Sequence, residues 1–190
     1  FGFDDFIIAA GYKKNVIIEY YKGSKEFKNL KIIDTGESTM TGGRILRLKS
    51  FFEKDENFFM TYGDGLCSIN LNDLTNFHKK NGKIATVTAV HPPVRFGELE
   101  IQGDKVTKFE EKPQASAGWI NGGYFVLKSD VFDYIDNDQT LFEKEPMTRL
   151  YQKNNLNAYK HEGFWKCMDT LRDKIDLEQI LKDKGAIWKK

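Results

Sequence analysis

Phe58-Phe59-Met60-Thr61-Tyr62-Gly63-Asp64-Gly65 is a largely apolar run that stops at two glycines flanking a carboxylate. An apolar run this short, closed by a turn signal, reads as a strand buried on both faces. Its neighbours repeat the pattern. Upstream, Phe6-Ile7-Ile8-Ala9-Ala10 is a second short apolar strand, stopped by Gly11. Asn15 to Lys22 has helical spacing, with Val16, Ile17 and Tyr20 on one face. Leu30 to Ile33 reads as a strand, and Ile45, Leu46, Leu48, Phe51 and Phe52 recur at helical spacing. Downstream, Asn72 is expected to cap a helix running through Leu74, Phe77 and His78 to Gly82. Ile84 to Val90 is rich in β-branched residues and reads as a further strand.

Strands alternating with helices predict an α/β fold: an open, mostly parallel sheet with helices on both faces. The middle of the chain changes character. Leu99-Glu100-Ile101 and Val106 to Phe109 flank Gln102-Gly103-Asp104-Lys105, which predicts a small β-hairpin. Tyr124 to Leu127 reads as a strand, and Phe142 to Gln152 and Leu171 to Lys184 as helices. With 190 residues and no low-complexity linker, one domain over 1–190 is expected. The chain opens almost directly in a strand that has no earlier element to pair with. A strand preceding Phe1 is therefore expected, because the first strand of such a sheet usually contributes a loop to the ligand site.

The 29 basic and 28 acidic side chains nearly balance. That gives no electrostatic reason to expect a nucleic-acid polymer or an anionic membrane as partner. Cys67 and Cys167 form neither a CxxC pair nor a zinc spacing, and read as buried or idle thiols. No run approaches the ~20 apolar residues that span a bilayer. Phe1-Gly2-Phe3-Asp4-Asp5 lacks the features of a signal peptide. A cytoplasmic protein is the resulting expectation.

Ligands of open α/β sheets bind beyond the carboxyl ends of the strands. Asp64 stands at such an end, on unobstructed backbone, and suits a divalent cation bound to phosphates. A plain Asp-Gly turn is the competing explanation. Asp169 follows the packed stretch Gly163-Phe164-Trp165-Lys166-Cys167-Met168 and is a second metal candidate; either it or Thr170 can cap the next helix. Thr35 to Arg44 is a small, polar, glycine-bearing loop leading into a helix, where free N–H groups would favour an anion. Arg44 adds a phosphate or base contact there, or is a solvated helix residue. In Phe109-Glu110-Glu111-Lys112-Pro113, Glu111 suits sugar hydroxyls and Lys112 a phosphate, against exposed charge at a strand end. The glycines of Ile120-Asn121-Gly122-Gly123 admit a ligand to the backbone, and Asn121 offers donor and acceptor.

Each signal alone is weak, but their order is not. Asp34-Thr35-Gly36 with Met40-Thr41-Gly42-Gly43-Arg44 comes first, then Tyr62-Gly63-Asp64-Gly65 and Arg95-Phe96-Gly97. Glu111-Lys112-Pro113, Ile120-Asn121-Gly122-Gly123 and Gly163-Phe164-Trp165 with Met168-Asp169-Thr170-Leu171-Arg172-Asp173 follow. Over nearly the whole chain this resembles the sugar-1-phosphate nucleotidyltransferases, and more narrowly their glucose-1-phosphate cytidylyltransferase branch.

The resemblance implies a Rossmann-like fold and a magnesium-dependent enzyme, with CTP and α-D-glucose 1-phosphate as substrates. It also implies a homo-oligomer, and a place in the nucleotide-sugar biosynthesis that serves O-antigen and lipopolysaccharide. Matched motif by motif, Asp64 and Asp169 would hold Mg2+. Thr39, Arg44 and Gly63 would lie at the nucleotide. Glu111, Lys112, Asn121 and Gly122 would contact the sugar phosphate. Asp64, Asp169, Arg44 and Lys112 would carry catalysis by positioning anions and neutralising charge, without a protein nucleophile. Thymidylyl or uridylyl transfer, or a non-catalytic sugar-nucleotide-binding domain, are the rival readings. The family pattern also carries a strand and a glycine-rich loop before the position of Phe1, and a longer segment at Gly23-Ser24.

Overall fold

The computed structural model describes residues 2–92, 98–110 and 118–189. In chain order its elements are β1 (Asp5–Ala10), α1 (Lys14–Tyr21), β2 (Asn29–Asp34), α2 (Thr41–Arg47), β3 (Asn57–Thr61), β4 (Gly65–Cys67) and α3 (Leu71–Asn81). Then come β5 (Ala85–Val90), β6 (Glu98–Gln102), β7 (Lys105–Glu110), β8 (Ile120–Lys128), α4 (Glu145–Gln152), β9 (Leu156–His161), β10 (Trp165–Cys167) and α5 (Leu171–Lys184). β3, β8, β5 and β9 form a four-stranded sheet in that order. β5 is buried along its whole length, as its β-branched run requires. β1 and β2 pair in parallel, β6 and β7 form the antiparallel hairpin, and β4 and β10 pair antiparallel. No helix among the described residues is long and apolar enough to cross a membrane.

By their contacts the residues group into two compact units. The first comprises Phe1–Phe58, Asn81–Ala85 and Leu127–Asn157. Here β1 and β2 run in register from Asp5 opposite Asn29 to Ala10 opposite Asp34. Phe58 stacks on Phe52 at 4.1 Å between ring centroids and lies 5.8 Å from Phe132. α1 forms, but Val16 and Tyr20 lie on its exposed side. The face turned inward is Ile17 and Tyr21, four residues apart, with Tyr21 edge-on to Phe27 at 5.6 Å. After α1 the chain turns at Gly23, whose φ is 74°, and the Ser24 N–H donates to the Tyr21 carbonyl at 3.0 Å.

The start of α2 differs from the sequence expectation. Two of its first N–H groups are not free for an anion: those of Gly42 and Gly43 both donate to the Thr140 carbonyl, at 2.9 and 3.3 Å. A Cβ on Gly42 would lie 2.7 Å from that carbonyl oxygen, and one on Gly43 would lie 2.5 Å from Asp138 Cα. Both glycines therefore let residues 138–140 lie against the helix. Arg47 Nε locks the same segment by donating to Asp138 at 2.9 Å. α4 also begins later than its apolar spacing suggests. The Phe142 N–H is held by Thr41 Oγ1 at 2.9 Å, and Pro146 marks the first helical turn.

The second unit comprises Phe59–Lys80, Thr86–Val126 and Ala158–Lys190. Cys67, Ile69, Leu74 and Val126 form its buried cluster, with Phe59, Leu71, Tyr124, Tyr159 and Trp165 packed around it. α3 starts at Leu71, and its cap is Asn70 rather than Asn72. Asn70 Oδ1 accepts the N–H groups of Asn72 and Asp73 at 2.9 and 3.3 Å. α5 matches its predicted bounds. Thr170 caps it in a reciprocal pair with Asp173, so the capping role open to Asp169 falls to its neighbour.

His78 on α3 is buried, with Nδ1 2.9 Å from Thr86 Oγ1. Burial holds its imidazole below the usual value of 6.5. The fold thus favours the neutral ring, and below a pH of about 6.5 the unfolded chain takes up this proton first. The stability that depends on neutral His78 is complete above that pH and declines as pH falls toward the lowered folded value. Urea midpoints measured from pH about 7 to about 5 should fall, and fall less steeply in His78→Gln.

Candidate active site

β3 ends at Thr61, and Tyr62-Gly63-Asp64 turns the chain directly into β4. β4 pairs with β10, Gly65 opposite Cys167 and Cys67 opposite Trp165. One step beyond this ladder the Met168 N–H donates to the Asp64 carbonyl at 2.8 Å. The pairing ties the turn bearing Asp64 to the residue before Asp169. A hollow of about 180 Å³ results, lined among others by Tyr62, Asp64, Asn121, Trp165, Cys167 and Asp169. Both carboxylates, and Asn121, belong to exposed residues.

Two buried-side donors brace this hollow. Tyr124 OH donates to the Gly65 carbonyl at 2.7 Å, and Trp165 Nε1 to the Gly122 carbonyl at 2.8 Å. Burial pushes the Tyr124 phenol up to about 12, so it remains a protonated donor through the neutral range. Sequence reasoning missed both roles. The available signal was chemical: a buried Tyr or Trp needs a partner for its polar tip.

The strand glycines also have packing reasons. A Cβ on Gly122 would lie 2.8 Å from Val90 Cγ1 and 3.0 Å from the Thr88 carbonyl oxygen. Gly123 has φ 78°, and a Cβ there would lie 2.8 Å from Tyr62 Cδ2. Their small size serves protein neighbours first. Gly63 differs, because a Cβ built on it meets nothing within 4 Å. Asn121 Oδ1 accepts the Gly123 N–H at 2.8 Å, which fixes the amide and leaves its NH2 group to donate.

Thr39 and Arg44 lie in the first unit. Thr39 is buried. Arg44 Nη1 donates to Thr35 Oγ1 at 2.7 Å, and Nη2 to the Glu37 carbonyl at 3.3 Å. Arg44, on α2, is thus held by the loop that precedes the helix and is not freely solvated. Glu111 and Lys112 lie outside the described residues, as does Arg95-Phe96-Gly97.

The donor chemistry of the hollow suits a hard cation. Among the described residues no group of three or more His, Cys, Asp or Glu is placed to hold a metal. Two carboxylates, Asp64 and Asp169, do share the hollow. Magnesium characteristically takes one or two carboxylates and completes its shell with water and substrate phosphates. The residues present fit that pattern.

Cys167 Sγ donates to Asp169 Oδ2 at 3.3 Å. Both cysteines are free thiols. Burial pushes each up to about 11, with the Asp169 hydrogen bond adding to the effect at Cys167. At neutral pH both should react slowly with iodoacetamide in the native protein and rapidly in urea, read by mass spectrometry of the labelled chain.

The nucleotidyl transferase family model matches residues 1–183. The glucose-1-phosphate cytidylyltransferase of Salmonella typhi is 43% identical over 210 residues, covering 99% of this chain and 82% of that protein. The probable glucose-1-phosphate cytidylyltransferase of Bacillus subtilis is 36% identical, covering 100% and 82%. In fold, the chain superimposes on HddC from Yersinia pseudotuberculosis, crystallised with GMP-PN, with a TM-score of 0.69 at 20% identity. That match covers 92% of this chain and 77% of the other.

Proposed function

Because the chain belongs to the nucleotidyl transferase family, we propose that it joins CTP to α-D-glucose 1-phosphate, giving CDP-glucose and pyrophosphate. A phosphate oxygen of the sugar phosphate attacks the α-phosphorus of CTP. The bond from that phosphorus to the bridging oxygen breaks, and pyrophosphate leaves. No covalent intermediate on the protein is needed, so the protein's task is to align two anions and offset their charge.

The observation that carries this reading is the pair Asp64 and Asp169 on one hollow, fixed by the hydrogen bond from Met168 N–H to the Asp64 carbonyl. These two carboxylates would hold Mg2+, which would neutralise charge on the phosphates. Arg44, Thr39 and Gly63 bind the nucleotide. Asn121 donates to the sugar phosphate, Gly122 presents backbone beside it, and Glu111 and Lys112 complete that contact. CTP is favoured over other nucleotides because relatives at 43% and 36% identity carry cytidylyltransferase names.

The reverse reaction tests the proposal. CDP-glucose, pyrophosphate and Mg2+ should yield CTP and glucose 1-phosphate, and removing the metal with EDTA should stop the reaction. Binding of CDP-glucose without any conversion would favour the non-catalytic reading instead. Lys112→Ala should raise KM for glucose 1-phosphate by about tenfold, with a smaller change in kcat, since it removes a charged contact made before the transition state. An unchanged KM in a folded variant would remove Lys112 from the sugar-phosphate site.

A further inference from the structure

We propose that Gly11 and Thr35 are positioning residues for Arg44, holding its guanidinium in the one orientation that meets the nucleotide. The inference rests on the nucleotide role given to Arg44 above. It begins with Gly11, which directly follows β1. A Cβ built on Gly11 would lie 2.3 Å from Arg44 Nη1, 2.4 Å from Nη2 and 2.7 Å from Cζ. The guanidinium therefore lies directly on the Gly11 backbone, in space that any side chain would occupy. Gly11 is not one of the glycines with positive φ, so backbone conformation does not require glycine here. What requires it is the presence of Arg44.

Thr35 supplies the second constraint. It stands just past the end of β2 and is fully buried. Its hydroxyl donates to the Ala10 carbonyl at 2.9 Å, which commits the single proton of that group. The remaining lone pairs can only accept, and Arg44 Nη1 donates to them at 2.7 Å. Ala10 and Thr35 lie at the carboxyl ends of a parallel strand pair, joined further by the bond from Thr35 N–H to the Ala10 carbonyl at 2.8 Å. The guanidinium is thus set against the carboxyl ends of β1 and β2, the end of a parallel sheet where ligands bind. A planar fork held by Thr35 at Nη1 and by the Glu37 carbonyl at Nη2, with Gly11 against the edge between those two nitrogens, keeps its face and its remaining donors in a fixed direction.

The Gly11 backbone cannot easily retreat. Its carbonyl accepts the Lys14 N–H at 3.0 Å in the turn into α1. A methyl group at position 11 would therefore push the far end of the Arg44 side chain away and leave the strands in place. Gly11→Ala should fold, because a flexible side-chain tip can move at little cost, yet it should carry a misplaced guanidinium.

The test is a double-mutant cycle on the full-length enzyme, with steady-state constants for both substrates and a thermal melt for each variant. Gly11→Ala should raise KM for CTP by about tenfold while leaving KM for glucose 1-phosphate and the melting temperature near wild type. Arg44→Ala should raise the same constant by at least as much. The double variant should be no worse than Arg44→Ala alone, since both changes act through one group. Thr35→Val should reproduce the CTP defect, and Thr35→Ser should restore it. A wild-type CTP constant in Gly11→Ala, or additive effects in the double variant, overturns the positioning role while leaving the function of Arg44 standing. A wild-type CTP constant in Arg44→Ala overturns the nucleotide role of Arg44 and the inference with it. Should Gly11→Ala melt early, the Thr35→Val and Thr35→Ser pair decides on the same criterion.

Discussion

Asp64→Asn will lower turnover by about two to three orders of magnitude and leave the fold intact. The substitution keeps the size of the side chain and one of its oxygens, replaces the other oxygen with an amide nitrogen, and removes the negative charge. The backbone carbonyl of Asp64, which anchors Met168, is unaffected. Asp64 is exposed, so the change in stability should stay within about 0.5 kcal/mol. What is lost is half of the paired carboxylate set on the hollow. The variant should need more magnesium for half-maximal rate than wild type, and Asp169→Asn should behave alike. Rates titrated with Mg2+ at saturating CTP and glucose 1-phosphate check this. Wild-type turnover in a well-folded Asp64→Asn protein would remove the carboxylate from the metal site.

Gly123→Ala will be the most damaging of the single-methyl changes at the site. Two effects add. The residue has φ 78°, a conformation that costs an L-residue about 1–2 kcal/mol. The new methyl would also meet the Tyr62 ring at 2.8 Å, and overpacking of this kind costs about 1–3 kcal/mol. A loss of roughly 3 kcal/mol corresponds to a melting temperature lower by roughly 10 °C in a chain of this size. Gly65→Ala is the natural comparison. Its nearest neighbour would be Tyr124 Cε2 at 3.9 Å, an ordinary contact, and its φ is not positive. Thermal melts of the two variants should therefore differ clearly, with Gly65→Ala near wild type. Equal melting temperatures would show that the Tyr62 ring moves aside without penalty.

The parts of the fold that were legible in the sequence are those whose cause is local. β5 announces itself by β-branched residues, the hairpin by Gly103-Asp104 between alternating strands, and α5 by its cap and its charged run. Three strands, β4, β9 and β10, are not legible in the sequence. Their residues mix polar and apolar types, and they exist because a partner strand supplies hydrogen bonds. The cap is Asn70 and not the expected Asn72 for a related reason: two asparagines stand two positions apart, and only the chain path selects which of them caps the helix. Phe142 fitted a helical spacing but is used in a turn, because Thr41 captures its N–H from far along the chain.

The same division runs through the candidate site. Asp64 was visible because an aspartate between glycines at a strand end is a local signal, and Asp169 because a packed stretch precedes it. The supports supplied by Tyr124 and Trp165 are long-range contacts that no local pattern displays. The loop Thr35 to Arg44 reads in the sequence as an anion-binding helix start, whereas the bareness of Gly42 and Gly43 admits the backbone of residues 138–140. Gly122 likewise makes room for Val90 and the Thr88 carbonyl. A glycine in a sequence signals a close approach without saying what approaches.

Nucleotidyl transfer is read directly by pyrophosphate release from the full-length protein given α-D-glucose 1-phosphate with CTP, UTP, dTTP, ATP or GTP in turn, each with and without Mg2+. Magnesium-dependent release with CTP is expected well above that with the other four, with one CDP-glucose formed per pyrophosphate. A clear preference for UTP or dTTP would keep the chemistry and contradict the choice of base. No release with any nucleotide, from a folded protein that still binds them, would contradict nucleotidyl transfer itself.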